Sequence, residues 1–317
     1  MNQPYALYLH IPFCRHRCAY CDFNTYAGRE AAIPEYVQTL CREIELVARS
    51  TGERLTAASI FLGGGTPSLL PVSQLEHLLL ALRNNFELLN PEISLEANPG
   101  TVSPGSLRDL RMLGFNRLSF GVQSFHPEEL RFLERIHDPS DAVHGVDWAR
   151  QAGFDNLSLD LMYGLPGQSM VCWKSTLQQA IDLHPEHLSL YALTIEPGTP
   201  LGRWVERGFV EQPDPDLAAD MYELSSELLA SAGFDQYEIS NWSLPGKTCR
   251  HNRQYWRNLP YLGFGAGAHG YAGGIRYSNV MRIKTYIDRL ESASIKIPFP
   301  LSPAVVSHKP VSLFEEM

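Results

Sequence analysis

Residues 5–23 read YALYLHIPFCRHRCAYCDF. The first part, Tyr5–Ile11, is a short, largely apolar run of the kind that forms a buried strand. It leads straight into Cys14, Cys18 and Cys21, spaced C-x3-C-x2-C with no fourth cysteine close behind. Thiolates this close in sequence can all reach one metal centre, and a 4Fe–4S cluster normally takes four of them. Three would leave one iron open to a small molecule. Two other readings compete. Zinc could use His10 or His16 as a fourth ligand, although structural zinc sites usually show two separated ligand pairs. The three cysteines could also be unrelated buried residues.

Outward from this loop, strand-like runs recur at Ser59–Gly63, Glu92–Ala97, Arg117–Val122, Asn156–Met162 and His187–Leu193. Between them lie stretches with apolar residues at the helical period: Pro34–Val47, Gln74–Leu82, Leu107–Leu113, Ala142–Ala152 and Met170–Leu183. Strand–helix alternation predicts an α/β fold with a parallel sheet and right-handed crossovers. Six such units suit an open sheet or an incomplete (β/α)6 parallel barrel better than a closed eight-unit barrel.

The rhythm changes beyond Thr194. Pro-rich loops precede a helix predicted over Leu217–Ala232, followed by a strand candidate at Gln236–Ser240, the segment HNRQYW at 251–256 and the glycine-rich GFGAGAHGYAGG at 263–274. A last helix is expected over Arg282–Glu291. We expect a core over 1–200, an extension carrying HNRQYW over 201–297, and a Pro-rich linker-like tail over 298–317, where SLFEEM reads as the start of a further helix.

In parallel α/β sheets, ligands bind at the carboxyl ends of the strands. The polar residues of this chain gather there. The second strand runs into Gly63-Gly64-Gly65-Thr66-Pro67, the third ends at Glu96, the fourth at Gln123, and the fifth carries Asp160. A buried carboxylate needs a partner, and one polar ligand could serve several. The glycine run lacks the lysine of a P-loop and the spacing of a dinucleotide fingerprint, but it lets backbone approach a ligand closely.

Composition narrows the function. The chain has 317 residues, 44% hydrophobic and 19% charged, with a formal charge of −9. That describes an ordinary globular protein with no basic face for nucleic acid. No apolar run is long enough for an integral membrane span, the start lacks a signal-peptide pattern, and the cysteine pattern does not suggest a secreted disulfide framework. A cytoplasmic location is expected.

These motifs carry a family resemblance. The cysteine spacing after the first strand, GGGTP after the second and the polar strand ends resemble the radical S-adenosylmethionine (SAM) superfamily. More narrowly, HIPFCxxxCxYCDF, FLGGGTPSLL, LEANPGT, GVQSF, LDLMYGLPGQ and LYALTIEPGTP are similar to the oxygen-independent coproporphyrinogen III oxidase family. The oxidase branch carries a further cysteine two residues after the third. Phe23 stands there instead, and with HNRQYW it resembles the HemW subfamily of haem chaperones.

The resemblance implies that Cys14, Cys18 and Cys21 hold three irons of a 4Fe–4S cluster and that the amino acid end of SAM chelates the fourth. It implies SAM contacts at Tyr8, Tyr20, Gly64, Gly65, Thr66, Glu96, Gln123, Arg135, Asp160 and Ala192. Haem is a further implied cofactor. His251 is the candidate axial ligand, Cys249 its alternative, and Tyr255 and Trp256 could stack on the porphyrin. Cys41 and Cys172 read as small buried hydrophobes. The implied partners are haem, haem-acceptor proteins such as membrane-bound respiratory enzymes, and an electron donor for the cluster. Family members continue past EEM into a small helical domain, which this sequence is expected to lack. The expected function is therefore a haem chaperone with a radical SAM core. The alternative is a radical SAM coproporphyrinogen oxidase, an activity that Phe23 argues against, and a non-enzymatic cluster or zinc protein is a third class.

Overall fold

A computed structural model describes residues 3–292 and 298–311. Six strands form its centre: β1 (Tyr5–Ile11), β2 (Thr56–Gly64), β3 (Glu87–Ala97), β4 (Arg117–Gln123), β5 (Leu157–Tyr163) and β6 (His187–Ala192). They lie side by side in chain order and every neighbouring pair is parallel. The crossovers carry α1 (Ile33–Ser50), α2 (Val72–Asn85), α3 (Pro104–Leu113), α4 (Pro127–Phe132), α5 (Pro139–Gln151) and α6 (Met170–Asp182). The expected α/β architecture is therefore present, and its six parallel strands do not close on themselves.

Local chemistry sets the element boundaries. In α1, Tyr36, Val37, Leu40, Ile44 and Val47 fall at helical spacing and are all buried. Ser103 and Asp138 cap α3 and α5 through reciprocal side-chain bonds three residues on, with proline at the first helical turn of each. On β1, Leu7 pairs with Ile60 on one side and with Leu262 on the other. A strand paired on both edges and packed on both faces must be apolar, as this one is.

The sheet runs further than six strands. After α7 (Pro200–Glu206) and α8 (Pro215–Ser231), the hairpin β7 (Asp235–Glu238) and β8 (Asn241–Ser243) adds antiparallel strands beyond β6. On the other side, after α9 (Arg250–Trp256), β9 (Tyr261–Phe264) pairs parallel with β1, and β10 (His269–Ala272), β11 (Ile275–Asn279) and β12 (Val305–Pro310) continue antiparallel from it. One sequence expectation, the linker-like tail, is corrected here, and two further stretches gain a structure. The HNRQYW segment is helical. The glycine-rich stretch supplies the end of β9 and all of β10, and Gly273-Gly274, both at positive φ, form the turn from β10 into β11. The Pro-rich tail contains β12 rather than only linker, with Pro310 at the end of an edge strand. The helix expected at SLFEEM lies outside the described residues.

One buried carboxylate ties the added strands to the core. Glu43, on the buried face of α1, accepts hydrogen bonds from Gly265 N (2.7 Å), Asn279 Nδ2 (2.8 Å), Tyr286 Oη (2.8 Å) and Ser302 Oγ (2.6 Å). Burial raises its pKa while those four donors oppose the rise. Tyr286 lies on α10 (Ile283–Glu291), which packs against α1. Cys41 and Cys172 are only half-buried, short of the full burial expected for them, because each sits at the margin of its helix's packed face.

Candidate functional site

The carboxyl ends of the parallel strands open into a cavity of about 380 Å3. Its rim is the cysteine loop. Phe13–Cys14 pairs with Tyr26–Ala27, so the chain leaves and rejoins the same point, and Cys14, Cys18 and Cys21 are free, half-buried thiols along the loop. Two donors point at sulfur: Thr66 Oγ1 lies 3.6 Å from Cys14 Sγ, and Arg135 Nη1 lies 3.5 Å from Cys18 Sγ. Burial pushes the thiols of Cys14 and Cys21 above their ordinary range, so loading a metal centre must displace protons. Among the described residues, no three His, Cys, Asp or Glu side chains converge on one point to hold a single, mononuclear metal ion.

The glycine run forms the opposite wall. Gly65 N donates to Ile11 O at 2.9 Å and Thr66 N to Phe13 O at 2.8 Å, which fixes GGGTP against the cysteine loop. A Cβ on Gly65 would meet Ile11 O and Phe13 O at 2.7 Å. One on Gly64, at φ +108, would meet the His10 ring at 2.4 Å. His10 is itself locked: its Nε2–H donates to Asn24 O (3.0 Å), so its Nδ1 accepts from the Tyr8 hydroxyl (3.0 Å).

Glu96 accepts from Gly64 N at 3.0 Å, and Asp160 accepts from Ser119 Oγ at 3.1 and 3.2 Å. Burial, and after it the like charge of Asp160, pushes the Glu96 pKa from 4.5 to about 7. Asp160 is also raised, chiefly by burial. Gln123 has φ +68 beside a bulge between β4 and β5, a strained conformation that re-aims its side chain. Arg135 donates Nη2 to Gly121 O at 2.7 Å, and its buried Nε has no hydrogen-bond partner. A guanidinium with a buried, unpartnered N–H, on a residue that lines a cavity, suits a carboxylate ligand.

The cavity thus brings together Cys14, Cys18, Tyr20, Cys21, Gly64, Gly65, Thr66, Glu96, Gln123, Arg135, Asp160 and Ala192. Two residues singled out from sequence lie elsewhere. Tyr8 lines a second, larger chamber next to the first. His251 lines neither. It is the buried residue of α9, its ring stacked on Phe61 at 5.1 Å and its nitrogens bonded to Ser59 Oγ (3.0 Å) and Tyr255 Oη (2.8 Å). Burial lowers its pKa to about 3. Cys249 is also fully buried, against Glu92, with its thiol pushed up to about 12 by burial. Sequence reading missed Ser119, which holds Asp160, because an alternating strand hides one polar position among many. It also missed His269 and Arg276. The signal available for those was the Gly-Gly pair between alternating residues in HGYAGGIRYS, a hairpin pattern.

The sequence model of the Radical SAM superfamily matches residues 8–180. Over 300 residues the chain is 41% identical to the "Heme chaperone HemW" of Mycobacterium tuberculosis, covering 93% of this chain and 77% of that one. The Escherichia coli protein of the same name is 45% identical over 270 residues, covering 84% and 70%. This chain belongs to the HemW family within the radical SAM superfamily. Among solved structures, the fold is similar to E. coli coproporphyrinogen III oxidase (HemN), described as a radical SAM enzyme, with TM-score 0.84 at 26% identity over 98% of this chain and 73% of that one. Radical SAM membership implies a 4Fe–4S cluster and SAM. The donor set fits both: three free thiols on one rim, a glycine wall no side chain could occupy, and an unpartnered arginine N–H. Among the described residues of this HemW family member, no helix is long and apolar enough to cross a membrane.

The raised pKa of Glu96 has a measurable consequence. The folded state favours its protonated form, so this stabilisation is complete below about pH 4.5 and is lost as pH rises through about 7. In the ligand-free protein, Glu96→Gln is expected to raise the melting temperature at pH 8 and change it little at pH 5. Melting curves at both pH values check this, and equal effects at the two would refute it.

Proposed function

We propose that this HemW family member is a haem chaperone. It would carry a 4Fe–4S cluster on Cys14, Cys18 and Cys21, bind SAM in the adjoining cavity, and bind haem for delivery to acceptor proteins. The observation that carries the reading is the single cavity joining three free thiols, the glycine wall and Arg135, whose buried Nε–H has no partner. When bound, the cluster supplies one electron for reductive cleavage of SAM. This chain's own residues hold the ligands. Gly64 and Gly65 leave room for the amino acid end of SAM, and Arg135 pairs with its carboxylate. Glu96 and Asp160 would hold its cationic and hydroxyl groups, and Tyr20 would cover it from the cysteine loop. Haem and its acceptors are assigned from the name shared by the relatives at 41–45% identity.

The fold shared with coproporphyrinogen III oxidase keeps a second reading in view. One experiment separates the two. Anaerobically reconstituted protein is expected to bind SAM and ferric haem, seen by calorimetry and a Soret band. With reductant, SAM and coproporphyrinogen III, it is expected to release no carbon dioxide above a Cys14→Ala control. Turnover above that control favours the oxidase, and absence of any haem binding overturns the chaperone.

A further inference from the structure

The larger chamber, about 800 Å3, lies beside the cysteine-rimmed cavity and shares Gly64, Glu96 and Phe23 with it. Its inner wall is aromatic: Tyr8 on β1, Tyr255 on α9 and Tyr261 on β9, the last two edge-to-face at 4.6 Å. Its mouth is formed by Phe23, Trp256 and Met281, exposed by 62%, 62% and 58%. Large apolar side chains rarely stand this far into solvent together on one rim unless something flat and apolar covers them.

His10, Asn24, Glu96 and Asn258 are polar lining residues, and the hairpin of β10 and β11 adds three more. His269 and Tyr271, two apart on β10, share a face of the hairpin, and Arg276 on β11 is paired opposite Tyr271. The Arg276 guanidinium sits over the Tyr271 ring at 5.6 Å and forms no ion pair among the described residues. The His269 ring makes no side-chain hydrogen bond among the described residues and is exposed at the chamber edge. It differs in this from the other two histidines nearby. Both nitrogens of His10 are engaged by Tyr8 and Asn24, and both of His251 by Ser59 and Tyr255.

We infer that this chamber is the haem seat, with a ring nitrogen of His269 as an axial ligand of the iron and Arg276 pairing with a propionate. The inference rests on the haem-binding reading above and locates that site. A neutral imidazole brings a lone pair to iron, the aromatic walls face the porphyrin plane, and a guanidinium stacked on a ring keeps its edge for a carboxylate. Phe23 then has a role of its own. Where the oxidase branch carries cysteine, this chain places a ring at the junction of the two cavities. His251 becomes a positioning residue that orients the Tyr255 wall through its hydrogen bond and stack.

The test titrates ferric haem, and separately its dimethyl ester, into the full chain and into His269→Ala, His251→Ala and Arg276→Leu. His269→Ala is expected to weaken haem binding about tenfold or more and shift the Soret band. Millimolar imidazole should restore the band, which a merely misfolded wall would not allow. Arg276→Leu should weaken binding of haem but leave binding of the ester unchanged, since the ester offers no carboxylate. A wild-type spectrum and affinity in His269→Ala, with both lost in His251→Ala, would move the ligand to His251 and overturn the seat while leaving the chaperone reading intact. A wild-type chain that binds no haem would overturn both.

Discussion

Replacing Cys18 with alanine is expected to reduce reconstituted iron from about four per chain to below one. The three thiols stand on one loop whose ends are tied by the Phe13–Cys14 and Tyr26–Ala27 pairing, so none has a substitute at the rim. With two protein ligands a cube would leave two irons unheld, and the remaining site would be too weak to retain it. The Cys172→Ala variant is the control. Cys172 lies on α6, away from the loop, and the variant should keep the full iron content. Iron and sulfide analysis after anaerobic reconstitution, with the visible absorption of the cluster, reads both. Stoichiometric zinc in fresh protein with no cluster formed on reconstitution would refute the assignment and revive the mononuclear reading.

The second large effect is expected at Arg135. Its Nη2 is held by Gly121 O and its Nη1 faces Cys18 Sγ, which leaves the buried Nε–H without a partner. On the proposed reading, a SAM carboxylate would satisfy that donor and place opposite charge on a guanidinium that is already desolvated. Arg135→Met removes a charge-assisted hydrogen bond worth about 2 kcal/mol or more, so SAM affinity should fall about thirtyfold or more. Arg135→Lys should recover only part of this, because an ammonium cannot hold Gly121 O and the ligand with the same planar fork. Iron content should stay at the wild-type level in both variants, which separates loss of the ligand site from loss of the loop. Calorimetric titration with SAM measures the change, and wild-type affinity in Arg135→Met would remove this residue from the site.

Much of the candidate site was legible in the sequence because strand-end chemistry is local. A run such as Thr56–Gly64 must emerge at the carboxyl edge of a parallel sheet, and whatever follows it faces the same opening as Glu96, Gln123 and Asp160. The cysteine loop follows β1 by the same rule. Residues with one clear environment, such as Leu40 or Ile44 on α1, were equally readable, because a helix facing a sheet repeats its apolar positions at 3.6 residues.

What only the tertiary structure decided lies between residues far apart in the chain. β9 pairs with β1 across some 255 positions, Leu262 against Leu7. Glu43 gathers donors from Gly265, Asn279, Tyr286 and Ser302. No local period encodes such contacts. The stretch 261–279 is rich in glycine, which suppresses the strand signal even where close backbone packing requires it: a Cβ on Gly263 would meet His269 O at 1.8 Å. The same packing separates histidines that sequence leaves equivalent. His251 sits in the more conspicuous motif, yet α9 turns it inward onto Phe61 and Ser59. His269, in the glycine-rich run, is carried by β10 to the edge of the aromatic chamber, and its ring makes no side-chain hydrogen bond among the described residues. Composition and spacing determine which side chains this protein can offer to a ligand. Burial and hydrogen bonding, set only when the strands assemble, determine which of them remain free to use.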